Sequence, residues 1–174
     1  MQSESFSSLV KQYFGYLIDE YNFQIKREYD SFNFNNSSVE FHSPMTIVVV
    51  TLERGATFVL IGPSSEPEIA RLSLESIIDF LSQGRDTDLI DTKDTIGNIR
   101  LQTEYCLSRY ATLLQNYGDS VLRGDFSWWV DACKYTLAKI HDTYRSLTSE
   151  EPPKDDPLAE YIKIKEANNN WKIN

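Results

Sequence analysis

A chain of 174 residues with 41% hydrophobic and 25% charged side chains has enough apolar surface for one core, which excludes disorder along its whole length. Its net charge of −9, with no Lys/Arg cluster to offset it locally, would repel a phosphate backbone, so the expectation is a basic protein partner and no nucleic acid. The N-terminus MQSESFSSLV lacks a basic segment followed by an apolar run, and no stretch approaches about 18 apolar residues. A cytoplasmic protein with no membrane partner is expected.

In chain order, Phe6, Leu9, Val10, Tyr13, Phe14, Leu17 and Tyr21 recur at three- and four-residue steps, and Ser3 or Ser5 can cap the start. The spacing predicts one amphipathic helix over 5–21, weakened by Gly15 without being ended there. Phe23 to Tyr29 alternates like a half-buried strand, Asp30 to Ser37 reads as a polar loop, and Val39 to His42 as a short strand. Next comes MTIVVVTLERGATFVLIG, residues 45–62. Its two β-branched runs, broken by Arg54-Gly55, predict a hairpin. Ile47 and Val49 point one way and Val48, Val50 and Leu52 the other. Phe58 and Leu60 likewise oppose Val59 and Ile61, so both faces of the hairpin are expected to need cover. Pro67 near a first turn, then Ile69, Leu72, Leu74, Ile77, Ile78, Phe80 and Leu81, predict a second helix running to Gly84 and docked on the sheet beside the first.

Residues 84–95, GRDTDLIDTKDT, read as an acidic connection. A helical stripe then runs from Ile96 to Val121 through Cys106 and Tyr110, with Gly118 tolerated inside it. After a turn at Gly124, with Asp125 as the next cap, a second stripe runs from Phe126 through Trp129, Cys133 and Ile140 to Leu147. Together 96–147 predict a long antiparallel helical hairpin. In that register Cys106 and Cys133 stand about 15 Å apart at 1.5 Å per residue, too far for a disulfide, so buried free thiols are expected. From Thr148 the chain reads as a tail holding either a short helix from Asp156-Pro157 or an edge strand over Tyr161 to Lys165.

The predicted fold is α+β: an antiparallel meander of three to four strands, an N-terminal helix, a following helix and a C-terminal helical hairpin. Residues 1–147 form one domain, divided into 1–83, the 84–95 connection and 96–147, and 148–174 is the tail. The first two helices are expected on one face of the sheet and the helical hairpin on the other.

Chemistry-bearing motifs are sparse. The chain lacks GxSxG, HExxH, paired CxxC, GxxxxGK[ST] and GxGxxG, so no catalytic residue, metal site or cofactor is assigned. The aspartates at 86, 88, 91 and 94 lack the glycine and terminal glutamate of a calcium loop and read as a solvated connection. Arg123-Gly124-Asp125 is accounted for by a helix turn, and Asn36-Ser37-Ser38, a glycosylation acceptor in form, meets the wrong compartment. His42 ends a strand and His141 flanks a helical stripe, as structural histidines do. Trp128 cannot share the inward stripe with Trp129 and is left over, either an exposed interface anchor or covered by the tail packing over it. Glu53-Arg54 at the hairpin tip reads first as a solvated turn and otherwise as a functional pair; with Trp128 and His42 it completes the candidate binding surface.

Four runs carry a resemblance: Tyr16 to Phe23, Tyr29 to Asn35, Val39 to Ser43, and Leu52 to Phe58 with its Glu53-Arg54-Gly55. Together they resemble a loose group of small, uncharacterised bacterial α+β proteins that read as a helix with YGF, a DP..FGN loop and a DRG hairpin. Here Asn22 stands for the glycine of the first pattern and Glu53 for the aspartate of the last. The resemblance spans residues 6–83 and implies an immunity-like or toxin-accessory role without chemistry of its own. The leading expectation is therefore a non-enzymatic protein-binding factor, with a homodimer compatible. The alternative is a small hydrolase or ligand-binding protein whose site lies between the sheet and the helical hairpin, where tyrosines, His42 and Arg54 would converge.

Overall fold

The computed structural model describes residues 5–31, 36–85, 98–153 and 155–170. The predicted acidic connection from residue 86 onward, residues 32–35 of the polar loop, and Ile96 lie outside them.

The Ser5 hydroxyl accepts from the Ser8 N–H at 3.2 Å and starts helix α1, Phe6–Phe14, which buries Phe6, Leu9, Val10 and Phe14. Helix α2, Tyr16–Tyr21, follows after one residue. The predicted single helix is thus divided at Gly15, where a Cβ would lie 2.8 Å from the Lys11 carbonyl oxygen. Asn22, in the left-handed conformation at φ 57°, closes α2.

Strands β1, Gln24–Tyr29, β2, Asn36–His42, β3, Thr46–Glu53, β4, Ala56–Pro63, and β5, Leu72–Ser73, form an antiparallel sheet in the order β1-β2-β3-β4-β5. The meander was expected; the fifth strand, two residues long, was not. Arg54 and Gly55 both have positive φ, 51° and 84°, the backbone of the two-residue turn that matches strand twist. The strand at 24–29 is mostly exposed instead of half-buried. Among the described residues its one partner in the sheet is β2; it has a register shift between Ile25 and Arg27 and carries Lys26, Arg27 and Glu28, which are devices that blunt a sheet edge. The predicted helix from Pro67 also starts late. Residues Glu68–Ala70 make a 3₁₀ turn, Leu72 joins β5, and α3, Leu74–Ser82, begins where the Ser73 hydroxyl accepts from the Ser76 N–H at 3.1 Å.

Beyond it lie α4, Ile99–Tyr117, α5, Asp119–Leu122, α6, Trp129–Thr148, and α7, Pro157–Asn170. Gly118 ends α4 instead of continuing it, and only glycine fits there without displacing Leu114, whose Cδ1 a Cβ would meet at 2.4 Å. Asp125 caps a turn by accepting from the Ser127 N–H at 3.1 Å, and the helix begins four residues later. The long helices are not a pair. Helix α4 packs on α1, α3 and β4, while α6 packs on α3 and α7. The stripe on α6 is therefore used only in its first half: Trp129, Ala132 and Cys133 are buried and Leu137 packs on the core, but Ile140 is 50% and Leu147 79% exposed. The thiols of Cys106 and Cys133 are free and buried, as expected. Residues 157–170, read as a tail outside the domain, form α7 and place Leu158, Tyr161 and Ile162 in the common core, so the edge-strand alternative does not hold.

One layer of helices covers one face of the sheet. Register aligns Phe41, Val48, Ile61 and Leu72 in a row, and Val39, Val50 and Val59 in the next; all are buried in the same cluster as Phe6, Phe14, Ile77, Ile78 and Leu107. The expected helical cover on the second face is absent among the described residues: Val49, Thr51 and Leu60 are half-buried and Phe58 is 40% exposed. The physical reason is that α4 fits between α1 and α3 in the layer already formed, and α6 finds its contacts outside α3.

Candidate functional site

The uncovered face is built by alternation. Glu40 and His42 on β2 lie two residues apart and share it; register sets Val49 and Leu60 beside Glu40, Ile47 and Gly62 beside His42, and Thr51 and Phe58 beside Ser38. One long side chain organises these rows. A Cβ on Gly62 would lie 3.0 Å from Arg71 Cγ, so the arginine stem runs over β4. Its Nη2 stands 3.9 Å from Glu40 Oε1 on β2, and Nη1 3.6 Å from Glu68 Oε1. Arg71 must therefore cross β3, and Ile47 on that strand is only 5% exposed although no described helix covers it. Gly62 is the residue that leaves room for this crossing.

His42 Nε2 and Glu40 Oε1 are hydrogen-bonded to each other. The Glu40 and Arg71 side chains are only 15% and 16% exposed, which fixes a charged network within an apolar field. Partial burial strengthens such contacts relative to freely exposed pairs. Around it lie Val49 and Leu60, with Phe58 and the 60% exposed Tyr29 outermost. An Arg and aromatic side chains set among aliphatic ones are the composition of a protein-binding surface.

Of the predicted site residues, His42 lies in this network. Glu53 and Arg54 are exposed at the far end of the hairpin; Glu53 is six residues along β3 from the Ile47 that pairs with His42, about 20 Å at about 3.3 Å per residue. Trp128 is not an exposed anchor. It is half-buried on the helical side, stacked on Phe80 with ring centroids 5.6 Å apart. The predicted convergence of tyrosines, His42 and Arg54 between sheet and helices also fails: His42 faces away from the helices, Arg54 sits at a turn, and the interior is filled by core side chains. Glu40, Arg71, Gly62 and Phe58 were missed as site residues. The parity that set Ile47 and Val49, and Phe58 and Leu60, apart from their neighbours carried the signal for the face; nothing local placed Arg71 across it.

Acid–base or nucleophilic work finds little support. Both thiols lie on the helical side, and burial pushes that of Cys133 up to about 12 and raises that of Cys106, the opposite of an activated nucleophile. Burial likewise raises the Tyr110 hydroxyl, which donates to Glu75, far above the ordinary range. No family model, curated protein or solved structure matches this chain. Among the described residues, no helix is long and apolar enough to cross a membrane.

Proposed function

We propose that this protein is a non-enzymatic binding factor that docks a protein partner on the uncovered face of its sheet. The observation that carries this reading is the field of Val49, Leu60 and Phe58 around the Arg71–Glu40–His42 network, left without cover by any described element. A sheet face with nothing to bind is normally polar. The charges of this face are of both signs, Arg27 and Arg71 beside Glu40, Glu53 and Glu68, and the net charge of −9 acts at long range. It favours a basic partner and speeds encounter, while the apolar contacts set the lifetime of the complex. The immunity-like or accessory role implied by the resemblance over residues 6–83 fits such a factor, with the cytoplasm as its setting.

The test is retention of a partner by the tagged full chain in extract of its native host, run beside Phe58→Asp and Arg54→Ala. A protein held by the wild type and by Arg54→Ala, but lost from a normally folded Phe58→Asp, supports the reading. The same protein held equally by Phe58→Asp overturns it.

A further inference from the structure

The uncovered face carries a second feature, toward the hairpin end of the sheet. Register sets Tyr29, Ser38, Thr51 and Phe58 side by side across β1, β2, β3 and β4. Two small side chains thus lie between two aromatic ones that stand three strand spacings apart, about 14 Å at about 4.8 Å each, and the row forms a trough with rings at its ends. Glu53 follows Thr51 by two residues on β3 and shares its face, opposite Asn36 on β2. A hollow of about 310 Å³ opens there, lined among others by Tyr29, Asn36, Ser38, Thr51 and Glu53. Glu53 is the one charged residue of this lining. Tyr29 is 60% exposed and Glu53 also lies at the surface, so the ring and the carboxylate are both reachable from solvent. The Thr51 hydroxyl is already used, donating to the Ser37 carbonyl oxygen at 3.1 Å. Among the described residues no ion pair engages the Glu53 carboxylate, whereas Glu40, two rows away, faces Arg71.

We propose that this trough receives an arginine side chain of the partner protein, with its guanidinium forked onto the Glu53 carboxylate and laid against the Tyr29 ring. The inference rests on the reading of this face as the docking face and adds which group of the partner it takes. The chemistry selects that group in three steps. An ionised carboxylate accepts and never donates, so the incoming group brings N–H or O–H, and Glu53 together with the net charge of −9 turns away an acidic one. A tyrosine ring attracts a cation to its face, which favours a charged donor over a neutral amide or hydroxyl. Between the two cationic side chains, the guanidinium is planar, meets a carboxylate through two parallel N–H bonds, stacks flat on a ring and is more weakly hydrated than an ammonium, so it loses least on entering a hollow between side chains.

The experiment is a titration of the isotope-labelled full chain, followed by amide chemical shifts, with the Nα-acetylated amides of arginine, lysine and citrulline in turn at equal ionic strength. Citrulline keeps the length and the planar end group of arginine without its charge. Saturable shifts centred on Tyr29, Ser38, Thr51 and Glu53 are expected with the arginine probe, and binding about threefold weaker with the other two, the scale of an exposed ion pair. Glu53→Gln is a surface change of equal shape, and it should weaken the arginine probe by about threefold, to the level of citrulline. Tyr29→Leu should weaken it by about twofold. The inference is overturned if the arginine probe gives no saturable shifts there, if citrulline or lysine binds as tightly, or if Glu53→Gln binds arginine like the wild type. A partner protein lost from Phe58→Asp but held undiminished by Glu53→Gln overturns it as well, while leaving the docking face itself in place.

Discussion

The row Phe41, Val48, Ile61, Leu72 is buried at every position, whereas one residue along each strand the row Glu40, Val49, Leu60, Ser73 is only half covered. The two central members of both rows are aliphatic, and in β3 they are both valine. What separates the faces is therefore not the hydrophobicity of the hairpin but what its neighbours contribute: β2 puts Phe41 on one face and Glu40 with His42 on the other. The helices follow the face that β2 leaves apolar. Among the described residues the second face is closed only in part, by the Arg71 side chain that crosses it.

This contrast can be tested by substitution, beginning with the covered face. Phe41→Ala empties a site of 0% exposure and is expected to cost about 3–5 kcal/mol in urea unfolding; a loss below about 1 kcal/mol would mean that the covered face is not the tightly packed one. On the open face, Gly62→Ala brings a Cβ to 3.0 Å from Arg71 Cγ and 3.2 Å from Arg71 Cα. The Cα cannot swing aside, so about 1–3 kcal/mol of overpacking cost is expected. A silent Gly62→Ala would show that Arg71 does not lie over β4.

Ionisation distinguishes the regions as well. On the helical side, burial raises the Cys133 thiol from 9.0 to about 12, so the folded protein holds that proton longer than the unfolded chain does. Its contribution to stability is complete below pH 9 and is lost as pH rises from 9 toward 12, with a slope of at most about 1.4 kcal/mol per pH unit from this one group. Urea midpoints across that range measure it, and Cys133→Ala should flatten the slope. The smallest effect on stability belongs to Phe58, 40% exposed: Phe58→Ala should shift unfolding by no more than about 0.5 kcal/mol, yet weaken the captured partner by about tenfold or more, as loss of an interface aromatic does.

The sequence made the hairpin legible because two β-branched apolar runs and the Arg54-Gly55 break between them are local signals. It made α1 and the start of α6 legible because three- and four-residue apolar spacing is local too. The late start of α3 was hidden because Leu72 fits a helical stripe and equally a strand beside Ile61. The open face was half legible: its apolar residues were read, but cover was expected wherever they occurred. Trp128 was misplaced because helical spacing shows which residue leaves the stripe but not that Phe80 stands ready to receive it.

By itself, then, the sequence determined the α+β class, the antiparallel meander, the turn at Arg54-Gly55 and the burial of both cysteines, all of which follow from period, turn chemistry and short connections. Tertiary structure alone decided that α4 and α6 part company around α3, that α7 joins the core, and that Arg71 reaches across β3 to Glu40. These outcomes depend on which of several apolar stripes meet, a choice between long-range contacts of similar energy that no local pattern encodes.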